Sequence, residues 1–252
     1  MALKSETTEF DDNAFSSAYP LGVERNFWNL ARNYIITREL DRDVRAGLIS
    51  RKSRILEIGC GTGVVVRHLR NYNWDAYGVE LGAPKLVAGA EKVIWTRRWA
   101  RDLDDDFRIS VSCILLLDVI EHVADAERFL REISAAFPCC KCFIVSVPAR
   151  QEVWSNYDEF YGHYRRYDRA LFDRTLAEAN LKVIRRRYFF HTLYIAAVFI
   201  KCIGRKRRVS ILPTKRPKLH RLIALILYLE ARVTPSFILG LSLIGTAVPA
   251  DN

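Results

Sequence analysis

Asp118, Glu121 and His122 stand at i, i+3 and i+4, a spacing that puts two carboxylates and an imidazole on one face of a helix starting there. Such a group can take a proton from a bound hydroxyl, with His122 as the candidate base. The alternative is that Glu121 and His122 simply cap and brace the end of a strand. A second cluster, Glu159-Phe160-Tyr161-Gly162-His163-Tyr164-Arg165-Arg166-Tyr167, offers His163 as an alternative base. Arg165 and Arg166 suit bidentate capture of an anionic group, and Tyr161 would join them as a substrate contact. The rival reading is a packed loop with arginines on aromatic faces. Between Arg54 and Gly63 an apolar run leads into glycines at 59, 61 and 63, and helical spacing follows from Val64 to Leu69. That pattern is a buried strand, a tight turn and a helix start, where a missing Cβ lets a ligand lie on the helix N-terminus. Glu80 ends the next strand, Asp75 to Glu80, about twenty residues on, where an acid can accept hydrogen bonds from ribose hydroxyls.

The elements that must position these groups alternate. A helix is expected from about Val23 to Ala46 and another from Leu86 to Val93, with a third strand somewhere in the charged stretch Trp95 to Phe107. Ser112–Asp118 and Cys142–Pro148 are continuous apolar runs, the mark of strands buried on both faces of a parallel sheet. Helices are expected over Asp125–Phe137 and Arg169–Ala179, and a strand near Val183–Phe190. Two apolar helices, His191–Ile203 and Leu219–Val233, joined by the basic linker Gly204–Lys218, precede a last strand, Leu241–Val248. Alternation of this kind is doubly wound α/β, organised as one domain with a core of about 23–190, a helical insertion of about 191–235 and a last strand of about 241–248.

At 252 residues, 50% hydrophobic and 27% charged, the chain can bury a large core, which excludes a disordered protein. Its six cysteines form no secreted framework, and the one CxxC, Cys139 to Cys142, has no second pair or nearby histidine to complete a zinc site. The polar, acidic stretch Met1 to Asp12 is not a signal peptide, so a cytoplasmic setting is expected. Formal net charge is +10, and no Asp or Glu occurs from Ala179 through Leu229. The basic character therefore belongs to one segment. Its apolar runs fall short of the roughly 20 residues that span a bilayer, so it is read as a surface for an anionic membrane or a packed helical cap. Nucleic acid is disfavoured, because no recognition module accompanies the charge.

The glycines run GxGxG, which disfavours a dinucleotide dehydrogenase with its GxGxxG. Together, Glu57-Ile58-Gly59-Cys60-Gly61-Thr62-Gly63, Glu80 and Leu117-Asp118-Val119-Ile120-Glu121-His122-Val123 resemble the Rossmann-like S-adenosylmethionine-dependent methyltransferases, and the last string is most similar to the ubiquinone-biosynthesis O-methyltransferase branch. The resemblance implies a three-layer sandwich on a mostly parallel seven-stranded sheet, with a helical insertion before the last strand. It implies that Glu57, Gly59, Cys60, Gly61 and Gly63 hold the methionine part of the cofactor, that Glu80 binds ribose, that Asp102 and Leu103 lie near adenine, and that Asp118 edges the cleft. The family's Phe-Asp at the start of the fourth strand is Val111-Ser112 here. In the quinone enzymes an acid-x-x-Glu-His group holds a divalent metal; no residue of this chain is assigned as a metal ligand. The expected function is methyl transfer from S-adenosylmethionine, to oxygen on a lipid-linked, quinone-like or glycan-type acceptor. The alternative is a membrane-associated S-adenosylmethionine-binding protein without turnover.

Overall fold

A computed structural model describes residues 20, 22–206, 209 and 214–250; the polar lead-in up to Tyr19 and the linker residues Arg207 and Arg208 lie outside them. In chain order the elements are α1 (Phe27–Arg45), β1 (Arg54–Ile58), α2 (Val64–Asn71), β2 (Asp75–Glu80), β3 (Ile94–Thr96), α3 (Asp105–Ser110), β4 (Val111–Leu117), α4 (Ala126–Ala136), β5 (Cys142–Pro148), α5 (Asn156–Phe160), α6 (Arg169–Glu178), β6 (Leu181–Phe189), α7 (His191–Cys202), α8 (Pro217–Val233) and β7 (Ser242–Pro249). The sheet has seven strands in the order β3-β2-β1-β4-β5-β7-β6. β7 runs antiparallel to both β5 and β6, and the other pairings are parallel.

Side chains alternate across the central strands with the period of a pleat. Ile55, Cys113, Leu115 and Ile144 face α1, α2, α7 and α8, while Leu56, Ile114, Leu116 and Val145 face α4 and α6. Both faces are covered, which is why β4 and β5 read as unbroken apolar runs. The three-layer sandwich expected from the sequence is the observed fold.

Local signals account for most boundaries. Asn26 caps α1 by accepting from Trp28 N, so the expected helix from Val23 splits into a short 3-10 turn, Val23–Arg25, and α1. Pro217 occupies the first turn of α8, where its missing N–H is harmless. The helix expected over Leu86–Val93 does not form; residues 83–93 are irregular. Gly89, at φ +86°, breaks the repeat, and Val87 N donates instead to Thr62 O at 2.9 Å. A backbone claimed by the glycine turn cannot close a helical turn of its own.

One polar feature escaped the sequence reading. Arg185 of β6 pairs with Glu39 at 3.2 Å and with Asp43, both buried on α1, and donates to Thr246. Residues 146 positions apart are thereby clamped together. Among the described residues, no helix is long and apolar enough to cross a membrane.

Candidate active site

The chain runs from β1 outward to β2 and β3, then returns to place β4 on the other side of β1. Ligands bind open α/β sheets at the carboxyl ends flanking such a reversal, here the ends of β1 and β4. After β1, Gly59, Gly61 and Gly63 take φ of +71°, +52° and +81°, a region that side chains disfavour. A Cβ at 59 would stand 2.9 Å from Val119 Cγ2, and one at 63 would collide with Ile94 Cδ1. Gly59 N donates to Val79 O at 2.9 Å, and Gly61 N donates to Glu80 Oε2 at 2.9 Å. Glu80 also accepts from Gly82 N at 2.9 Å, so one carboxylate sets the turn and the strand end against each other. Cys60 tucks its side chain against Gly78, leaving only its backbone on the ligand side.

Glu57 is buried, and its Oε2 has no hydrogen-bond partner among the described residues. Burial pushes its carboxyl up to about 8, against the pull of the Arg32 charge. Arg32 itself reaches from α1 to Asp118, closing the cleft between the ends of β1 and β4. The sequence reading missed Arg32. The available signal was a cation one turn beyond Trp28, on a helix that otherwise buries apolar residues such as Ala31, Ile35 and Ile36.

Asp118 sits in the left-handed region at φ +58°. Its N–H donates to Ser146 O at 2.9 Å, and its Oδ1 accepts from Ser146 Oγ at 3.3 Å. The chain then makes a 3-10 turn, Ile120–His122, not the helix on which Asp118, Glu121 and His122 would share a face. Asp118 goes to Arg32, and a different trio forms. The ligand atoms of Glu121, His122 and His163 all lie within 4.8 Å of one another. Glu121 is fully buried, and neither carboxylate oxygen has a hydrogen-bond partner among the described residues. Burial, then the nearby Asp118 charge, raises its carboxyl well above the usual range. Burial and the facing His163 push His122 down to about 4, and the two rings meet edge to face with centroids 4.7 Å apart.

The aromatic loop delivers His163. Ser155 and Asp158 form a reciprocal capping box on α5, which sinks Asp158 to 0% exposure. Its Oδ1 accepts from Arg166 Nε at 2.7 Å and pairs with His163 Nδ1 at 2.9 Å. Burial alone would raise this carboxyl, but the hydrogen bond from His163 and the charge and hydrogen bond of Arg166 outweigh it and hold it at about 2. With Nδ1–H given to Asp158, the acceptor of a neutral His163 is Nε2. Arg166 is buried and also donates to Ala149 O at 3.0 Å, so it braces the loop and does not reach outward as a substrate clamp. Arg165 donates to Ala124 O and helps line a hollow of about 270 Å³ with Arg150, Gln151 and Asp168. The Tyr161 hydroxyl donates to Val209 O at 2.9 Å, tying the loop to the basic linker. Asp102 is exposed at the end of a 3-10 turn, Ala100–Asp102, whose Ala100 is buried, as is Leu103 next to it. That segment leaves from beside the cleft, where Arg98 N donates to Glu80 O at 3.2 Å.

A glycine cradle at the reversal point of this sheet defines a Rossmann-like protein built to hold a nucleotide-type cofactor. Residues 29–186 match the profile of a methyltransferase-domain family. The ubiquinone biosynthesis O-methyltransferase of Nitrobacter winogradskyi is 32% identical over 103 residues, 39% of this chain and 40% of that protein. The enzyme of the same name from Bradyrhizobium diazoefficiens is 27% identical over 125 residues, 48% of this chain and 49% of that one. The matched part thus spans less than half the length of these curated relatives. Magnesium protoporphyrin IX methyltransferase from Synechocystis, crystallised with bound SAH, shares the fold at a TM-score of 0.52 and 12% identity, over 89% of this chain and 86% of that one. The chain belongs to this methyltransferase-domain family.

Proposed function

We propose that this protein moves the methyl group of S-adenosylmethionine onto an oxygen of a lipid-linked, quinone-like or glycan-type acceptor, working in the cytoplasm at the inner face of a membrane. The observation that carries the oxygen assignment is the Glu121–His122–His163 trio beside Asp118, a proton-accepting group at the edge of the cleft. The turn fits the cofactor: a Cβ at 59 or 63 would clash with Val119 or Ile94 and push the backbone out of this tight curve, and Glu57 offers a buried acceptor without a partner among the described residues. S-adenosylmethionine supplies a methyl on a sulfonium, and because its transfer is an in-line displacement, positioning can provide much of the acceleration.

The chain's own residues divide the work. The backbone of the glycine turn would bear the methionine part. Arg32 would receive its carboxylate, Glu57 would take its ammonium, and Glu80 would accept from the ribose hydroxyls. Asp102 and Leu103 would hold the adenine, and Asp118 holds Arg32 at the cleft. His163 takes the acceptor's proton at Nε2, while the Asp158 carboxylate steadies the resulting imidazolium through Nδ1–H. His122, held neutral by burial, is the weaker base and lies against it. Tyr161 and Arg165 border the acceptor path.

A divalent metal is what the acid-x-x-Glu-His resemblance implies, and the trio fits one: Glu121 has two buried oxygens without hydrogen-bond partners, and His122 and His163 face them. One carboxylate and two imidazoles suit zinc or a similar first-row ion better than magnesium. With Nδ1 held by Asp158, His163 would bind such an ion through Nε2 and so would be a ligand in place of the base, and the ion would itself lower the pKa of an acceptor hydroxyl bound to it.

The test is incubation with methyl-labelled S-adenosylmethionine and a lipid extract, followed by phase separation. Label in the organic phase is expected, with kcat falling about a hundredfold in His163→Gln while cofactor affinity holds. Label confined to the aqueous phase overturns the lipid-linked and quinone-like acceptors. Cofactor binding without any transfer establishes the non-turning alternative.

A further inference from the structure

We infer that the outer face of α7 and α8, with the cations where the two helices join, is a seat for an anionic bilayer. This surface plays no part in the cofactor site, and the inference stands whatever the methyl acceptor is. α8 is apolar on two faces. Ala224, Leu227 and Ala231 are buried on the side turned to α1, where Tyr228 meets Tyr34 edge to face at 5.8 Å. Leu222, Ile226, Leu229 and Val233 repeat at helical spacing on the other side and are exposed, Val233 to 79%. α7 adds Ile195 and Phe199, exposed to 68% and 63%. Among the described residues, twelve of the seventeen exposed large hydrophobics fall between 195 and 239. Scattered surface leucines need no explanation, but a contiguous patch marks a docking surface.

Charge selects the occupant. Lys201, Arg205 and Lys206 at the end of α7, and Lys215, Lys218 and Arg221 at the start of α8, are all exposed. No Asp or Glu interrupts residues 179–229. A second copy packed on a two-fold axis would bring these cations against each other; an anionic bilayer takes apolar side chains between its lipids and the cations at its headgroups. The helices have 12 and 17 residues, about 18 and 26 Å, so each can lie in the interface but not cross a hydrocarbon core of about 30 Å.

The basic end also adjoins the acceptor loop. Lys201, Arg205 and Lys206 wall a groove of about 320 Å³ whose far side carries Trp154, Ser155 and Glu159. Tyr161 bonds Val209 of the same linker. A headgroup held there would lie against the loop that bears His163, so docking would present membrane-borne molecules to the cleft.

The test is flotation of the full chain with vesicles of equal phosphatidylglycerol and phosphatidylcholine, against vesicles of phosphatidylcholine alone. Flotation with the anionic vesicles at low salt, reversed by high salt, is expected. Each exposed cation at such a surface is worth about a fivefold gain in partitioning, so Lys201→Ala/Arg205→Ala/Lys206→Ala should lower it about a hundredfold. Phe199→Ser/Ile226→Ser should lower it about tenfold or more at every salt concentration. Both variants should keep the wild-type melting temperature and calorimetric affinity for S-adenosylmethionine. A wild-type chain left in the bottom fraction with the anionic vesicles at low salt overturns the inference. So does vesicle binding that ignores both variants, or an unbound dimer that Phe199→Ser/Ile226→Ser makes monomeric.

Discussion

Replacing Gly63 by Ala tests whether the glycine cradle is imposed by sterics. The site has φ +81°, and a Cβ there would collide with Ile94 Cδ1 and approach Ala90 Cβ to 3.2 Å. A left-handed backbone at a residue bearing a Cβ costs about 1–2 kcal/mol, and overpacking a buried site costs about 1–3 kcal/mol more. Gly63→Ala should therefore lose about 2–5 kcal/mol. The two contributions can be separated, because Ile94→Val removes the colliding Cδ1 and leaves Cγ1, which a Cβ at 63 would meet at an ordinary 3.7 Å. Alone, Ile94→Val should cost about 0.5–1.5 kcal/mol. In the double variant the collision is gone, so the loss should be smaller than the sum of the single losses by about 1 kcal/mol or more. Urea denaturation of the four proteins measures this. Additive losses, or a Gly63→Ala loss below about 0.5 kcal/mol, would refute the steric account of the turn. Titration of the folded double variant with S-adenosylmethionine would then ask whether the remaining Cβ blocks the ligand.

Two further outcomes follow from buried charge. Arg185→Met leaves Asp43 buried without its cation, while Glu39 keeps Arg42 at 3.1 Å, and should cost about 3–5 kcal/mol in urea denaturation; adding Asp43→Leu should restore most of it, and a loss below about 1 kcal/mol would show the clamp to be idle. His68, partly buried beside Thr37, is pushed down to about 4 by burial. The unfolded chain gains a proton near pH 6.5 that the folded chain refuses, so this contribution is lost as pH falls from about 6.5 towards 4. Between pH 7.5 and 5.5, His68→Gln should accordingly gain about 1 kcal/mol on the wild type, and parallel pH–stability curves would refute that reading.

The elements nearest in sequence to their own causes were legible. Three glycines two apart can only be a turn that bars Cβ atoms, and Ser112–Asp118 and Cys142–Pro148 are too apolar to be anything but strands covered on both sides. Glu80 was legible because a strand end in step with the turn must deliver it there, and its carboxylate does grip Gly61 N. Leu86–Val93 misled because apolar spacing says nothing about a backbone already bound to Thr62.

Tertiary structure decided which charged groups meet. The Asp118, Glu121 and His122 spacing names candidates but presupposes a helix; a left-handed Asp118 and a 3-10 turn send Asp118 to Arg32 and leave Glu121 and His122 facing His163. Arg166 reads as a surface clamp until Asp158, sunk by its capping box, draws it inside. A strand, a turn or an apolar face follows from local sterics and periodicity, which a sequence carries on its surface. The pairing of a buried charge follows from which distant segments the sheet order brings together, and only the packed chain settles that.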